Sequence, residues 1–207
     1  MTRVTLASKE ILYLPGVPID AVHFIESGLV SILAVLKNGD CAEVGVVGSE
    51  GMIGIPLVIG TGRSPNEAMV LVSGQALRLK RAELEIELQR CPPLAKLMMQ
   101  YIQSFYAQVS QTAACNAHHT LDERLARWLL LAHDRGGGDV LELTHEFLSM
   151  MLGVHRPAVS IAAGSLQKMG ILEYSRGHIR ILDRVALENA SCECYQAVQQ
   201  HILNIFK

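Results

Sequence analysis

A segment in the last third of the chain constrains the fold most: LTHEFLSMMLGVHRPAVSIAAGSLQKMGIL. Thr144 is a favourable helix N-cap, and apolar residues then recur at helical spacing up to Gly153, which suits the positive φ that ends a helix. Because Pro157 is tolerated only in the first turn of a helix, a second helix should begin near His155 or Arg156. Two short helices about a tight turn are typical of a helix-turn-helix, and an ordinary helical hairpin is the alternative.

The residues that follow predict a two-stranded wing. Strand-forming residues occupy positions 171–174 and 179–182, and Arg176-Gly177 between them is a hairpin turn signal. From Thr144 to Arg184 there are five basic and three acidic residues, within a chain of net charge −2. This local excess supports DNA binding only weakly, while the overall charge excludes a polycationic nucleic-acid coat.

A small β-domain and a long helix precede this winged helix. Up to about residue 90, short apolar or alternating runs are separated by proline and glycine, which is typical of a small sandwich or barrel. Pro92-Pro93 can start a helix that runs to about His118. Thr120 and Glu123 then form a capping box for the next helix, and a single final helix is predicted after its cap, Asp183.

The long helix is predicted to join two copies of the chain. Its apolar stripe is narrow, and few charged residues cover the rest of its surface, so pairing with a second copy is favoured over packing on its own domain. The predicted dimer interface consists of Leu94, Met98, Tyr101, Phe105 and Val109.

The sequence excludes several other classes of protein. It contains no phosphate-binding loop, no nucleophile elbow and no H-E-x-x-H motif, so we expect that the protein is not an enzyme. It has no secretory leader and no apolar run long enough to span a membrane, so we expect a cytoplasmic protein that binds no membrane. Five cysteines, an odd number, suit a reducing compartment.

The cysteines leave a metal- or redox-responsive regulator as the alternative function. Cys115 with His118 or His119, and Cys192 with Cys194, have metal-like spacings, and four such ligands would bind zinc if they met in space. We nevertheless expect no metal site and no cofactor. Cys115 should face the dimer seam, and residues two apart on a helix point about 200° away from each other.

The order of β-domain, long helix and winged helix resembles the Crp/Fnr family of bacterial transcription regulators. The resemblance covers essentially the whole chain and follows the branch common in alphaproteobacteria. It is most specific in HFIESGLVSIL, EVGVVGSEGMIGIPLVIG, TAACNAHHTLDERLARWLLLAHDR, LTHEFLSMMLGVHRPAVS and YSRGHIRILD. It implies an α+β fold with a cyclic-nucleotide-binding-like, jelly-roll-like β-roll at 1–90, a dimerisation helix at 91–119 and a winged helix-turn-helix at 120–207. The short helical segment that often precedes the β-roll is expected to be missing.

The resemblance also implies partners and DNA contacts. A homodimer would place two recognition helices in successive major grooves of double-stranded DNA and act on RNA polymerase. Arg156 matches the first arginine of the family's recognition helix, but Pro157 and Ile161 replace its glutamate and second arginine, so the best-known half-site is not expected. Arg156 is predicted to contact a guanine edge, with a phosphate clamp as the alternative. His155 and Ser160 are predicted to add a base or phosphate contact, and Ala158 to contact a thymine methyl. Thr144, Arg176 and His178 are predicted to contact phosphates.

The effector pocket departs from the pattern of the members that bind cyclic nucleotides. Those members carry a Gly-Glu-Leu motif, whose glutamate accepts a hydrogen bond from a ribose hydroxyl. A second motif, Arg-Ser or Arg-Thr followed by alanine, comes later in the chain. Here Gly54-Ile55-Pro56 and Arg63-Ser64-Pro65 stand in these places, and Ile55 accepts no hydrogen bond. We therefore expect a degenerate or repurposed pocket that involves Gly54, Ile55, Arg63 and Ser64, does not bind cyclic AMP and has an unknown effector.

Overall fold

Strands fill the first third of the chain, and helices dominate the rest. The computed structural model describes residues 1–136, 138, 140–175 and 177–203. The strands are β1 Thr2–Leu6, β2 Ile11–Tyr13, β3 Ala21–Val35, β4 Cys41–Val47, β5 Met52–Ile53, β6 Glu67–Lys80, β7 Val140–Glu142, β8 Leu172–Ser175 and β9 His178–Ile181. The helices are α1 Ile55–Val58, α2 Arg81–Arg90, α3 Pro92–His118, α4 Leu121–Gly136, α5 His145–Leu152, α6 Arg156–Lys168, α7 Arg184–Ala190 and α8 Cys194–Leu203.

Two long antiparallel strands, β3 and β6, form the centre of the N-terminal sheet, whose order is β1–β6–β3–β4. The prediction of only short strands is wrong here, because Gly28 and Gly74 lie within β3 and β6 instead of in turns. The pairing register shifts on both sides of Ser27. A Cβ on Gly74 would lie 2.0 Å from the Ser27 carbonyl oxygen. Glycine therefore permits a bulge and a close approach of two backbones where the sequence suggested chain reversals.

The apolar stripe of α3 packs against its own β-domain. Met98 and Tyr101 are only 2% and 8% exposed, and the Tyr101 hydroxyl donates to the Met52 carbonyl oxygen at 3.1 Å. Leu94 and Phe105 are partly buried against the same core. The structure thus corrects the predicted dimer interface at Met98 and Tyr101. Helical periodicity identifies an apolar face, but it does not tell which surface covers that face.

The C-terminal part contains the predicted helix-turn-helix, α5 and α6, followed by the strands β8 and β9. The capping box of α4 is confirmed: the Thr120 backbone N–H donates to Glu123 Oε2 at 2.8 Å, and the Glu123 N–H donates to Thr120 Oγ1 at 3.4 Å. A third strand, β7, was not predicted and pairs with β9. The predicted single final helix is wrong, because the chain extends at Ser191 and separates α7 from α8.

One continuous apolar core joins the β-domain to the winged helix. Leu29 and Leu33 of β3 pack in the same cluster as α4, α5 and α6. Trp128 of α4 donates its indole N–H to Glu43 Oε1 at 2.9 Å, and Ser31 donates to Glu43 Oε2 at 2.7 Å. Within the described residues, every helix is too short or too polar to cross a lipid bilayer.

Candidate DNA interface

The turn between α5 and α6 is built from local backbone hydrogen bonds. Thr144 caps α5, because its hydroxyl accepts from the Phe147 N–H at 3.1 Å. Gly153 ends α5 at φ 62°, and its N–H and that of Val154 donate to the carbonyls of Met150 and Ser149. This is the Schellman arrangement, in which a left-handed residue closes the helix. Both sequence predictions, the Thr144 cap and the positive φ of Gly153, are confirmed.

The N-terminal end of α6 presents an uncovered face. His155 is its N-cap, and Pro157 lies in the first turn, as the sequence predicted. His155, Arg156 and Ser160 are exposed, and Ala158 is half-buried. Ile161 is 73% exposed on this helix. A large apolar side chain so open to solvent is available to pack against a thymine methyl in a major groove.

His145 connects the three parts of the winged helix, a role that the sequence analysis missed. Its ring stacks on Tyr174 of β8 with centroids 4.0 Å apart, and its Nδ1 lies 2.9 Å from Ser160 Oγ on α6. Burial and the nearby positive charge of Arg156 lower the pKa of His145. Both effects favour the neutral ring, which contacts Ser160 on α6 and Tyr174 in the wing.

The other predicted DNA contacts lie on both sides of α6. Thr144 is exposed as the N-cap of α5, where its hydroxyl oxygen accepts from the Phe147 N–H while its O–H can still donate to a phosphate. His178 is exposed at the start of β9. Gly177, in the turn of the wing, has φ 85°, which suits glycine. Arg176 lies outside the described residues.

The predicted effector pocket is a cavity of about 280 Å³ between the β-domain and α3. Gly54, Ile55 and Ser64 line it, whereas Arg63 does not: the exposed guanidinium of Arg63 donates to the Gly16 carbonyl oxygen. Most of the other lining side chains are apolar, from β3, β4, β5, α1 and α3. No charged side chain lines the cavity in the described part of the chain, so its chemistry suits an apolar molecule rather than a cyclic phosphate.

The structure brings four potential metal ligands together at the far end of α3. They are Cys115, His119, Cys192 and Cys194, whose ligand atoms all lie within 4.8 Å of one another. His118 is exposed and is not among them. The geometric argument against a metal site is therefore wrong, because Cys192 lies before α8 instead of two residues earlier on the same helix.

Two known domains match the sequence. The model of the cyclic nucleotide-binding domain matches residues 3–91, and that of the Crp-like helix-turn-helix domain matches residues 123–190. The chain belongs to the Crp/Fnr family. It is a transcriptional regulator with a DNA-binding helix-turn-helix.

Relatives and solved structures agree with this assignment. The chain is 24% identical to the Global nitrogen regulator of Synechocystis over 88% of this chain and 85% of that protein. It is 25% identical to the transcriptional regulator SdrP of Thermus thermophilus, over 89% and 92%. The crystal structure of a CRP/FNR-family regulator from Thermus thermophilus has the same fold, with a TM-score of 0.76, 23% identity and coverage of 92% and 98%. FixK2 from Bradyrhizobium japonicum also has a TM-score of 0.76, with 20% identity and coverage of 92% and 97%. These comparisons do not favour a metal- or redox-responsive regulator.

Proposed function

We propose that this Crp/Fnr regulator binds an inverted-repeat operator as a homodimer. The observation that carries the proposal is the exposed N-terminal face of α6, where Arg156 and its neighbours are uncovered by the rest of the chain. Two such helices related by a two-fold axis would contact half-sites about 34 Å apart, which is one turn of DNA. The functional division stays as proposed from the sequence, with a sensor at 1–90, a dimerisation helix at 91–119 and a DNA-binding domain at 120–207.

We place the dimer seam on the outer face of α3. Met99 and Tyr106 are 49% and 65% exposed there, although both are large and apolar. With the half-buried Ile102 and Val109 and the exposed Ala113, they recur alternately three and four residues apart. That spacing keeps one stripe in contact with a parallel partner helix, as in a coiled coil. Of the five residues in the sequence prediction, this seam retains Val109 and omits Leu94, Met98, Tyr101 and Phe105.

We infer that this regulator does not use cyclic AMP as an effector. Ile55 lines the cavity where a ribose would need a polar partner, no charged side chain of the described residues lines it, and Arg63 points elsewhere. The cavity reaches α3 at Ile102, Phe105, Tyr106 and Val109, and all of these except Phe105 belong to the proposed seam. An apolar ligand there would act on the orientation of the two long helices.

Replacing Arg156 with alanine tests how the recognition helix reads DNA. Loss of a bidentate hydrogen bond to guanine should weaken operator binding by roughly 1–3 kcal/mol. It should also reduce the sequence preference at one base pair in each half-site. Fluorescence anisotropy with the operator, single-base variants of it and random DNA, at several salt concentrations, measures this.

Arg176→Ala, which removes an arginine of the wing, is the matched control. If Arg176 contacts a phosphate, the change should weaken all sequences alike and reduce the salt dependence of binding. If Arg156→Ala weakens the binding of operator and random DNA equally, Arg156 contacts a phosphate and carries no sequence preference. Unchanged DNA binding in both variants would refute the proposed interface.

A further inference from the structure

Four potential metal ligands surround one point where the end of α3 meets the start of α8. Cys115 Sγ lies 3.5 Å from Cys192 Sγ, and Cys194 Sγ lies 3.5 Å from His119 Nδ1. The four ligand atoms are all within 4.8 Å of one another. Ligands at zinc-bonding distance from one tetrahedral ion are separated by about 3.3–3.8 Å. The cluster therefore has the dimensions of a zinc site and needs only a small contraction.

We propose that Cys115, His119, Cys192 and Cys194 bind one Zn²⁺ ion, which joins the long helix to the C-terminal helix of the same chain. Binding releases the three thiol protons to solvent and leaves His119 neutral. Four protein ligands complete the tetrahedron and leave no position for water or substrate. The ion is thus a structural component, and this inference does not depend on how the protein binds DNA.

The surroundings of the cluster match those of bound metals. His119 presents Nδ1 to the thiols, and its Nε2 lies 3.3 Å from Glu193 Oε2. Histidines that bind metals are commonly oriented by a carboxylate on the opposite ring nitrogen in this way. Gln111 Nε2 donates to Cys194 Sγ at 2.9 Å. Each of these two contacts holds a ligand in place from outside.

Buried positive charge beside the cluster provides a second, independent indication. Arg127 is 6% exposed, and its Nε and Nη1 atoms lack a hydrogen-bond partner in the described residues, as does Nε of Arg124. Both guanidinium groups act electrostatically on Cys115. Zinc with three thiolates and a neutral imidazole carries a net charge of −1. The negative charge of such a centre would offset the free-energy cost of burying the guanidinium groups of Arg124 and Arg127.

The position of the cluster gives the ion a mechanical role. α3 ends at His118 and α4 begins at Leu121, so His119 belongs to the short link between the long helix and the winged helix. Cys192 and Cys194 belong to the break between α7 and α8. An ion bound to all four would fix this link and the start of α8 relative to the end of α3.

Metal analysis of the full chain, purified without a histidine tag under reducing conditions, tests the proposal. We expect one zinc per chain in the wild type, and the same content in Cys41→Ser and Cys91→Ser, which remove thiols that do not belong to the cluster. Cys115→Ser and Cys192→Ser should lower the zinc content at least tenfold. Equal zinc content in all four variants would overturn the proposal.

A Co²⁺ titration of the reduced, metal-free wild type decides the question even if a cysteine variant does not fold. We expect tetrahedral d–d bands and thiolate-to-cobalt charge transfer that saturate at one equivalent and disappear when Zn²⁺ is added. Octahedral Co²⁺ spectra would overturn the proposal. So would a Cys115–Cys192 disulfide in freshly isolated protein whose reduction restores no metal binding.

Discussion

At the scale of single residues, Gly153 decides the geometry of the helix-turn-helix. Its φ of 62° is unfavourable for a residue with a side chain, and a Cβ there would lie 3.2 Å from the Cβ of Ala42 on β4. The turn is therefore restricted both by its own backbone and by contact with the β-domain. Gly164, on α6, has nothing within 4 Å of a Cβ placed on it and no positive φ.

Gly153→Ala and Gly164→Ala should consequently change stability in opposite directions. The first introduces left-handed strain and should lower the free energy of unfolding by about 1–2 kcal/mol. The second removes chain entropy from the unfolded state and should raise it by roughly 0.5–1 kcal/mol. Urea unfolding followed by circular dichroism measures both. An unchanged midpoint in Gly153→Ala would refute the role assigned to this glycine.

At the scale of elements, α3 serves two surfaces at once. One face is buried in its own β-domain through Met98, Tyr101, Ser104 and Gln108. Gln108 donates to the Val46 carbonyl oxygen at 2.9 Å, so even its polar positions contribute to this packing. The opposite face exposes apolar side chains to solvent, and exposed apolar area on a long helix is most readily buried by a partner.

Tyr106→Glu should separate the proposed dimer into monomers. It would place two carboxylates against each other across the seam, and such like-charge contacts should raise the dimer dissociation constant about a hundredfold or more. Gln100→Glu is the matched control, because it adds one carboxylate to an exposed position of α3 away from the seam. Light scattering at micromolar concentration compares them. A Tyr106→Glu variant that stays dimeric would place the interface elsewhere.

At the scale of the whole molecule, a buried carboxyl group lies between the β-domain and the winged helix. Burial raises the pKa of Glu43 to about 7, against the opposing effects of hydrogen bonds from Ser31 and Trp128 and of the charges of Arg127 and Arg135. Arg135 in turn bonds Glu50 at 2.7 Å, which ties α4 to the turn after β4. The interface therefore contains a group that titrates near neutral pH.

Glu43→Gln should remove a pH dependence of stability. Because the folded pKa lies above the ordinary value of 4.5, the folded chain holds the proton more tightly. The contribution of Glu43 to the free energy of unfolding is full below about pH 4.5 and is lost as the pH rises through 7. The change is roughly 3 kcal/mol at most. Urea unfolding from pH 4.5 to 8 should show this slope in the wild type relative to Glu43→Gln. Glu173→Gln, an exposed control, should keep the slope of the wild type, and parallel curves for all three proteins would contradict the assignment.

Several local features of this protein could be predicted from its sequence alone. The Thr144 cap, the turn at Gly153, the start of α6 near Arg156 and the Thr120 capping box were all predicted from the residues. Each depends on hydrogen bonds or backbone angles within a few positions of the chain, so residue type and spacing were sufficient. The family's fold followed from the order of these elements.

Contacts between residues distant in sequence became known only from the three-dimensional structure. Periodicity located the apolar stripe of α3, but whether it faces the β-domain or a second chain depends on the path of strands far away in sequence. The four ligands of the cluster come from two segments more than 70 residues apart, and the bend at Ser191 brings their side chains together. His145 contacts Ser160 and Tyr174 because the wing lies against the helices. Such contacts depend on chain topology, which local propensities do not determine.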